Sequence, residues 1–188
     1  MTLITNNPLL KSASGMLGDT HYYREWRGRL VMCKRPKKRK SLSQRQKETV
    51  SRFKLAAKYA SGQMKDPETK AAYQERTNFR YHSAYLVALN DYLNPPTVKE
   101  IRTIDYRGNA GDSITVDAWD DFVVVKVNVV IINRDGAILE DGYAEPHENN
   151  PALWKYSAVV ANPNIQGTKI MVMAFDKPGN KGLAEVVL

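Results

Sequence analysis

Between about residue 43 and residue 93 apolar side chains recur every three or four positions; beyond about residue 97 they alternate singly or run in β-branched blocks. The first rhythm predicts helices. Ser43 followed three places on by Gln46 forms a capping box, and Val50, Phe53, Ala57, Ala60 and Met64 share one face, so a helix is expected over 43–64. Asp66-Pro67 then caps and opens a second helix, "DPETKAAYQERT", with proline in the first turn where its missing N–H costs nothing. A third, "YHSAYLVALNDYL", would bury Tyr81, Tyr85, Ala88, Leu89 and Tyr92.

The change of rhythm falls at "NDYLNPPTVKE", where Pro95 and Pro96 stop a helix and push their neighbours into extended backbone. Seven runs then read as strands: "EIRTIDY", "DSITVDAW", "FVVVKVNVVII", "AILEDGYAE", "LWKYSAVV", "TKIMVMAF" and "GLAEVVL", parted by turns such as "NRDG" and "DKPGN". Upstream of the helices, "GDTHYYREWRGRLVMCKRP" reads as a hairpin turning at Gly28. The expected fold class is therefore α+β in two domains. Residues 1–94 would form a basic β-hairpin plus small helical domain, and 95–188 an all-β sandwich of the immunoglobulin-like or fibronectin III-like kind. Without a cysteine pair, Trp119, Trp154 and the Val/Ile rows would hold its sheets together.

Charge sharpens this division. The net +8 of the 188 residues splits into 19 Lys+Arg against 7 Asp+Glu in residues 1–98, a net +12, and 9 against 13 in residues 99–188, a net −4. The cations crowd at Lys34, Arg35, Lys37, Lys38, Arg39 and Lys40, and continue as a stripe of Lys47, Lys54, Lys58 and Lys65, roughly 100° around the first helix from its apolar face. Such a surface suits phosphates, whose condensed counterions it would release, and suits an acidic protein face equally well; a merely solubilising loop is the third reading. Tyr22, Tyr23, Trp26, Tyr73, Phe79, Tyr81 and Tyr85 could stack on bases, although such spacing more often marks core.

Enzyme chemistry finds little support. His21, His82 and His147 sit in different elements without metal-ligand spacing, "GMLGD" lacks the ending of a phosphate loop, and Asp120-Asp121 read as turn carboxylates. Cys33, the single cysteine, has no placed base and reads as a strand residue. The expectation is thus no enzyme, no catalytic residues, no metal, no cofactor and no small-molecule substrate. No apolar run is long enough to span a bilayer, and "MTLITNNPLLKSASG" lacks a secretory pattern, so no membrane partner is expected, and the protein is expected to be intracellular or assembled inside a cell.

The order "SGMLGDTHYYREWRGRLVMCKRPKKRKSLSQRQKETVSRFKLAAKYA", "DPETKAAY", "SAYLVALNDYLNPP" and "DDFVVVKVNVVIINRDGAILEDGYA" resembles a family of proteins found in Bacteroidota and in their phages or phage-like elements. The second half is separately similar to bacterial Ig-like modules in its turn from Asp176 to Asn180 before the last strand. Such modules recur on phage virion proteins and on adhesive surface proteins. The resemblance implies a structural protein of a large assembly, a capsid or connector accessory or decoration protein, with other subunits as partners and no catalytic residues. The alternative is an intracellular, nucleoid-like or regulatory DNA-binding protein that uses its Ig-like part for partners or dimerisation.

Overall fold

The structure is a computed structural model and describes residues 2–3, 13–37 and 41–188. Among these are eleven strands and three helices: β1 (Thr2–Leu3), β2 (Gly15–Leu17), β3 (His21–Trp26), β4 (Arg29–Lys34), α1 (Gln44–Gln63), α2 (Pro67–Glu75), α3 (Ala84–Leu93), β5 (Thr97–Arg102), β6 (Ser113–Trp119), β7 (Val124–Ile132), β8 (Ile138–His147), β9 (Asn150–Ser157), β10 (Lys169–Asp176) and β11 (Lys181–Val187).

The chain divides into two compact units, residues 1–47 and 48–188. In the first, an antiparallel sheet runs in the order β1-β4-β3-β2, with β1 contributing two residues. Its centre is the β3–β4 hairpin, from Trp26 opposite Arg29 to His21 opposite Lys34. Arg27 and Gly28 make the two-residue turn with φ of 52° and 70°, a pair of left-handed residues that matches the twist of the flanking strands. Val31 and Cys33 are its buried apolar side chains.

In the second unit local signals act as read from the sequence. Asp66 accepts the Thr69 N–H at 3.0 Å to cap α2, and the Ser83 hydroxyl accepts the Leu86 N–H to cap α3. Asn133 closes the β7–β8 turn, its side chain accepting from the N–H groups of Asp135 and Ala137. In the first unit the Ser43–Gln46 capping box at the start of α1 is likewise formed, in both directions, at 3.1 and 3.3 Å.

The expected fold class is overturned by how these elements combine. The protein is mostly β, and its helices, all but the first turn of α1, lie mid-chain in the same compact unit as the seven later strands. Those strands form one antiparallel sheet, in the order β11-β10-β7-β8-β9-β6-β5, in place of two separate sheets. β8 is the reason. Its first part pairs with β7, from Ile138 opposite Ile132 to Ala144 opposite Val127, and its last residues, Glu145 to His147, pair with β9. One strand of ten residues thus carries the ladder around the corner, and the sheet rolls until its edges β5 and β11 meet. At that seam Gly182 lies so close to Pro96 that a Cβ there would stand 1.9 Å from the Pro96 carbonyl oxygen.

The rolled sheet encloses Ile114, Val116, Val127, Val129, Ile131, Ile170 and Val172, all essentially inaccessible. Each such side chain contributes about 1.5–3 kcal/mol of burial. Trp154 is buried among them, whereas Trp119, expected to pin the sheets, is 48% exposed. A second core joins the helices: Ala56, Ala60, Tyr73, Ala84, Val87, Ala88 and Leu89, with Phe122 of the β6–β7 connection packed in. Phe122 stacks on Tyr73 at 4.0 Å between ring centres. A residue between two strands therefore completes the helical core and joins the helices to the rolled sheet.

Candidate functional site

Lys34 closes β4; Arg35 follows, its N–H bonded to the Thr20 carbonyl at 2.7 Å, and both are exposed together with Lys37. Lys38, Arg39 and Lys40 lie outside the described residues. Lys47, Lys54 and Lys58 are exposed on α1, and Lys65 is exposed just beyond its last turn. The buried side of α1 is the expected one only in part: Ala60 is buried, and Ala57 and Met64 pack against the same core, but Ala56 is buried beside them. Ala56 and Ala60 face the core, while Val50 and Phe53 are 43% and 52% exposed, so the lysine stripe lies roughly 150° from the buried side at about 100° per residue. Lys34, Arg35, Lys37 and Lys47 belong to the first unit, and Lys54, Lys58 and Lys65 to the second. The hairpin adds three exposed cations that the sequence reading left out, Arg24, Arg27 and Arg29, about a turn where Trp26 is 44% exposed beneath the Arg27 guanidinium at 4.9 Å. The "RGR" around the turn glycine was their signal.

The second site is acidic and buried. Asp91 of α3, Asp120 after β6 and Asp176 at the end of β10 are 0%, 9% and 2% exposed, and each offers a carboxylate oxygen within 4.8 Å of the others. Every one is held. The Tyr73 hydroxyl donates to Asp91 Oδ2 at 2.5 Å, and because its single proton is spent there, the Tyr59 hydroxyl 2.9 Å away donates to Tyr73. Asp120 Oδ2 accepts the N–H groups of Phe122 and Val123 at 2.9 and 3.0 Å. Asp176 accepts the Asn180 backbone N–H on Oδ1 and the Asn180 amide on Oδ2, at 2.6 and 2.7 Å. The same amide reaches the carbonyls of Asp91 and Tyr92, tying the end of α3 to the β10–β11 turn.

Two oxygens are left over. Asp91 Oδ1 and Asp120 Oδ1 are buried and have no hydrogen-bond partner among the described residues. Burial, with the neighbouring carboxylates adding to it, pushes the Asp91 carboxyl up to about 7 against the opposing Tyr73 bond. Burial also raises Asp120 and Asp176, and it holds the Tyr73 and Tyr59 hydroxyls above their ordinary range. Lys177, next to Asp176 in the chain, places its ammonium 5.5 Å over the Tyr73 ring and 5.8 Å over that of Phe122. Three carboxylates, two of them with a spare oxygen, can share protons or hold a hard cation; buried this deeply, they are shielded from a substrate.

The sequence reading passed over this cluster, taking Asp120 for a turn carboxylate and expecting no metal. One signal was available in Asp91, three places after Ala88 and four after Val87, on the stripe that α3 buries.

No family model matches the chain, and no curated protein is similar to it in sequence. Among solved structures it overlaps CopC from Methylosinus trichosporium OB3b at 8% identity and a TM-score of 0.35, covering 48% of this chain and 87% of that one. It also overlaps a tetra-tandem repeat from the extending region of a large adhesion protein, at 17% identity and a TM-score of 0.36, covering 49% of this chain and 23% of that one. A third overlap is with the catalytic module of the glycogen-degrading pneumococcal virulence factor SpuA, at 16% identity and a TM-score of 0.29, over 44% of this chain and 13% of that one. Likenesses this partial carry no argument about function.

Proposed function

We propose that this protein is a non-enzymatic structural component of a large assembly, held to an acidic surface by its basic first unit. The observation that carries the reading is where the charge sits. Residues 1–47 contain twelve Lys and Arg against two Asp and Glu, a net +10, and residues 48–188 contain sixteen against eighteen, a net −2. The cations described in the first unit stand on a short sheet with little core, where exposed charge costs almost nothing and where it can meet a partner. The rolled sheet of the second unit, neutral by comparison, would face neighbouring subunits. A phage or phage-like particle is the setting that the sequence resemblance suggests, with an acidic capsid or connector face as the surface engaged.

A second reading, DNA binding inside a cell, draws on Trp26, an exposed ring beside Arg24, Arg27 and Arg29. Binding of the full chain to fluorescent duplex DNA across a salt series separates the two. For the structural reading the expected result is weak binding that vanishes near physiological salt, together with salt-sensitive retention on an acidic protein surface. A variant with Arg24, Arg27, Arg29, Lys34, Arg35 and Lys37 changed to Gln should lose that retention while keeping its melting temperature. Tight DNA binding with a log-log slope of several released ions, surviving physiological salt, would favour the second reading. Indifference of the unmodified protein to both polyanions and acidic proteins would overturn both.

A further inference from the structure

We propose that Asp91, Asp120 and Asp176 together bind one hard divalent cation, calcium in preference to magnesium, and that this ion clamps α3 to the rolled sheet. The three carboxylates come from three elements of the second unit, a helix, an inter-strand connection and a strand end, yet their oxygens gather within 4.8 Å of one another. Oxygens about 2.4 Å from a shared calcium ion cover that span.

The protein's own donors satisfy the wrong atoms for a closed hydrogen-bond network. Tyr73 is spent on Asp91 Oδ2, and the Phe122 and Val123 N–H groups on Asp120 Oδ2, while the Oδ1 atoms of the same two buried carboxylates have nothing. Unpartnered oxygens on residues 0% and 9% exposed are rare in native proteins and ask for a ligand. Among the described residues no lysine or arginine forms an ion pair with any of the three. Lys177, the adjacent cation, is directed over the Tyr73 and Phe122 rings.

The donor set chooses the ion. Carboxylate oxygens without histidine or cysteine select hard cations over zinc or copper. Magnesium keeps most of its water and demands near-ideal octahedral geometry at about 2.1 Å, which a buried site with fixed side chains does not supply; calcium accepts irregular protein oxygens. The Asn180 amide, bonded to Asp176 and to the carbonyls of Asp91 and Tyr92, already holds two of the three ligands in register, so the ion would find them placed.

The rival occupant is a proton shared between carboxyl groups, and the two make opposite demands. Full-length protein would be stripped with a chelator, dialysed, and melted across a calcium chloride titration at constant ionic strength, with magnesium and sodium chloride as controls. The expected result is a saturable rise in melting temperature of about 5–10 °C at a hundredfold excess over the dissociation constant, larger for calcium than for magnesium. Equilibrium dialysis should find one calcium per chain. Asp91→Asn and Asp176→Asn should each abolish the rise. No shift at about 10 mM calcium, beyond the range of ordinary calcium sites, with no bound ion by dialysis, would overturn the proposal. So would an Asp91→Asn variant that melts higher than the unmodified protein whether or not calcium is present, since an amide in place of a protonated carboxyl would then be all the site needs. If the variants do not fold, the dialysis stoichiometry of the unmodified protein still decides.

Discussion

Residues 1–47 hold twelve cations against two anions, and Arg24, Arg27 and Arg29 of their hairpin are exposed, whereas residues 48–188 balance sixteen against eighteen yet bury three carboxylates within 4.8 Å of one another. The first arrangement asks little of the fold. Exposed charges interact through water, each contributes or costs a fraction of a kcal/mol, and their number can be set by a partner alone. The second asks a great deal, because a carboxylate taken out of water must be repaid by donors or a cation. Surface charge here therefore speaks about association, and buried charge about how the helices are fastened to the sheet.

The sharpest way to break that contrast is to ask whether the second unit is one fastened body at all. Gly182→Ala places a methyl 1.9 Å from the Pro96 carbonyl oxygen and 2.7 Å from its carbon, and since both are backbone the seam between β11 and the start of β5 must open. A loss of about 3 kcal/mol is expected in urea denaturation. An unchanged midpoint would mean that the edges do not meet.

Next in size is the Tyr73 hydroxyl. Tyr73→Phe keeps the ring stacked on Phe122 but removes the donor from Asp91 Oδ2 and the acceptor from Tyr59. Leaving a buried carboxylate short of a donor costs about 1–3 kcal/mol, read as a lower urea midpoint at constant slope. A loss no greater than that of a typical exposed substitution, about 0.5 kcal/mol, would say that the cluster is less buried than its geometry implies.

These two positions also mark where sequence reading ran out. Features written within a few residues were legible: the turn at Gly28, the Ser43–Gln46 box, the Asp66 cap on α2, the Asn133 turn and all seven later strands. What β8 does was not. Ile138 to His147 reads as an ordinary strand, and nothing in it announces that its two ends pair with different partners, a fact that turns two expected sheets into one. The buried side of α1 was misjudged in part for a similar reason. Val50 and Phe53 are larger and more apolar than Ala56 and Ala60, but the small alanines are what close packing admits. Phe122, Asp120 and Asp176 each look like strand-end residues in sequence, and only the rolled sheet brings them to Tyr73 and Asp91.

The smallest effect concerns an exposed carboxylate in the same unit, whose behaviour runs opposite to that of the buried three. Asp66 is held below the ordinary carboxylate range by hydrogen bonds from Thr69, from its side chain and then from its backbone N–H, where burial pushes Asp91, Asp120 and Asp176 upward. Its folded value lies below its unfolded one, so the stability it contributes is fully present above an unfolded value of about 4 and is lost as pH falls through the folded value. Asp66→Asn keeps an acceptor at the start of α2 but cannot titrate. Melting temperatures of the two proteins measured between about pH 3 and pH 7 should differ by a constant amount in the upper part of that window, then converge as the pH falls below about 4. Because the buried carboxylates protonate in both proteins alike, they cancel in the difference. A difference that stays constant down to the lowest pH would show that the cap acts through its shape and not through its charge.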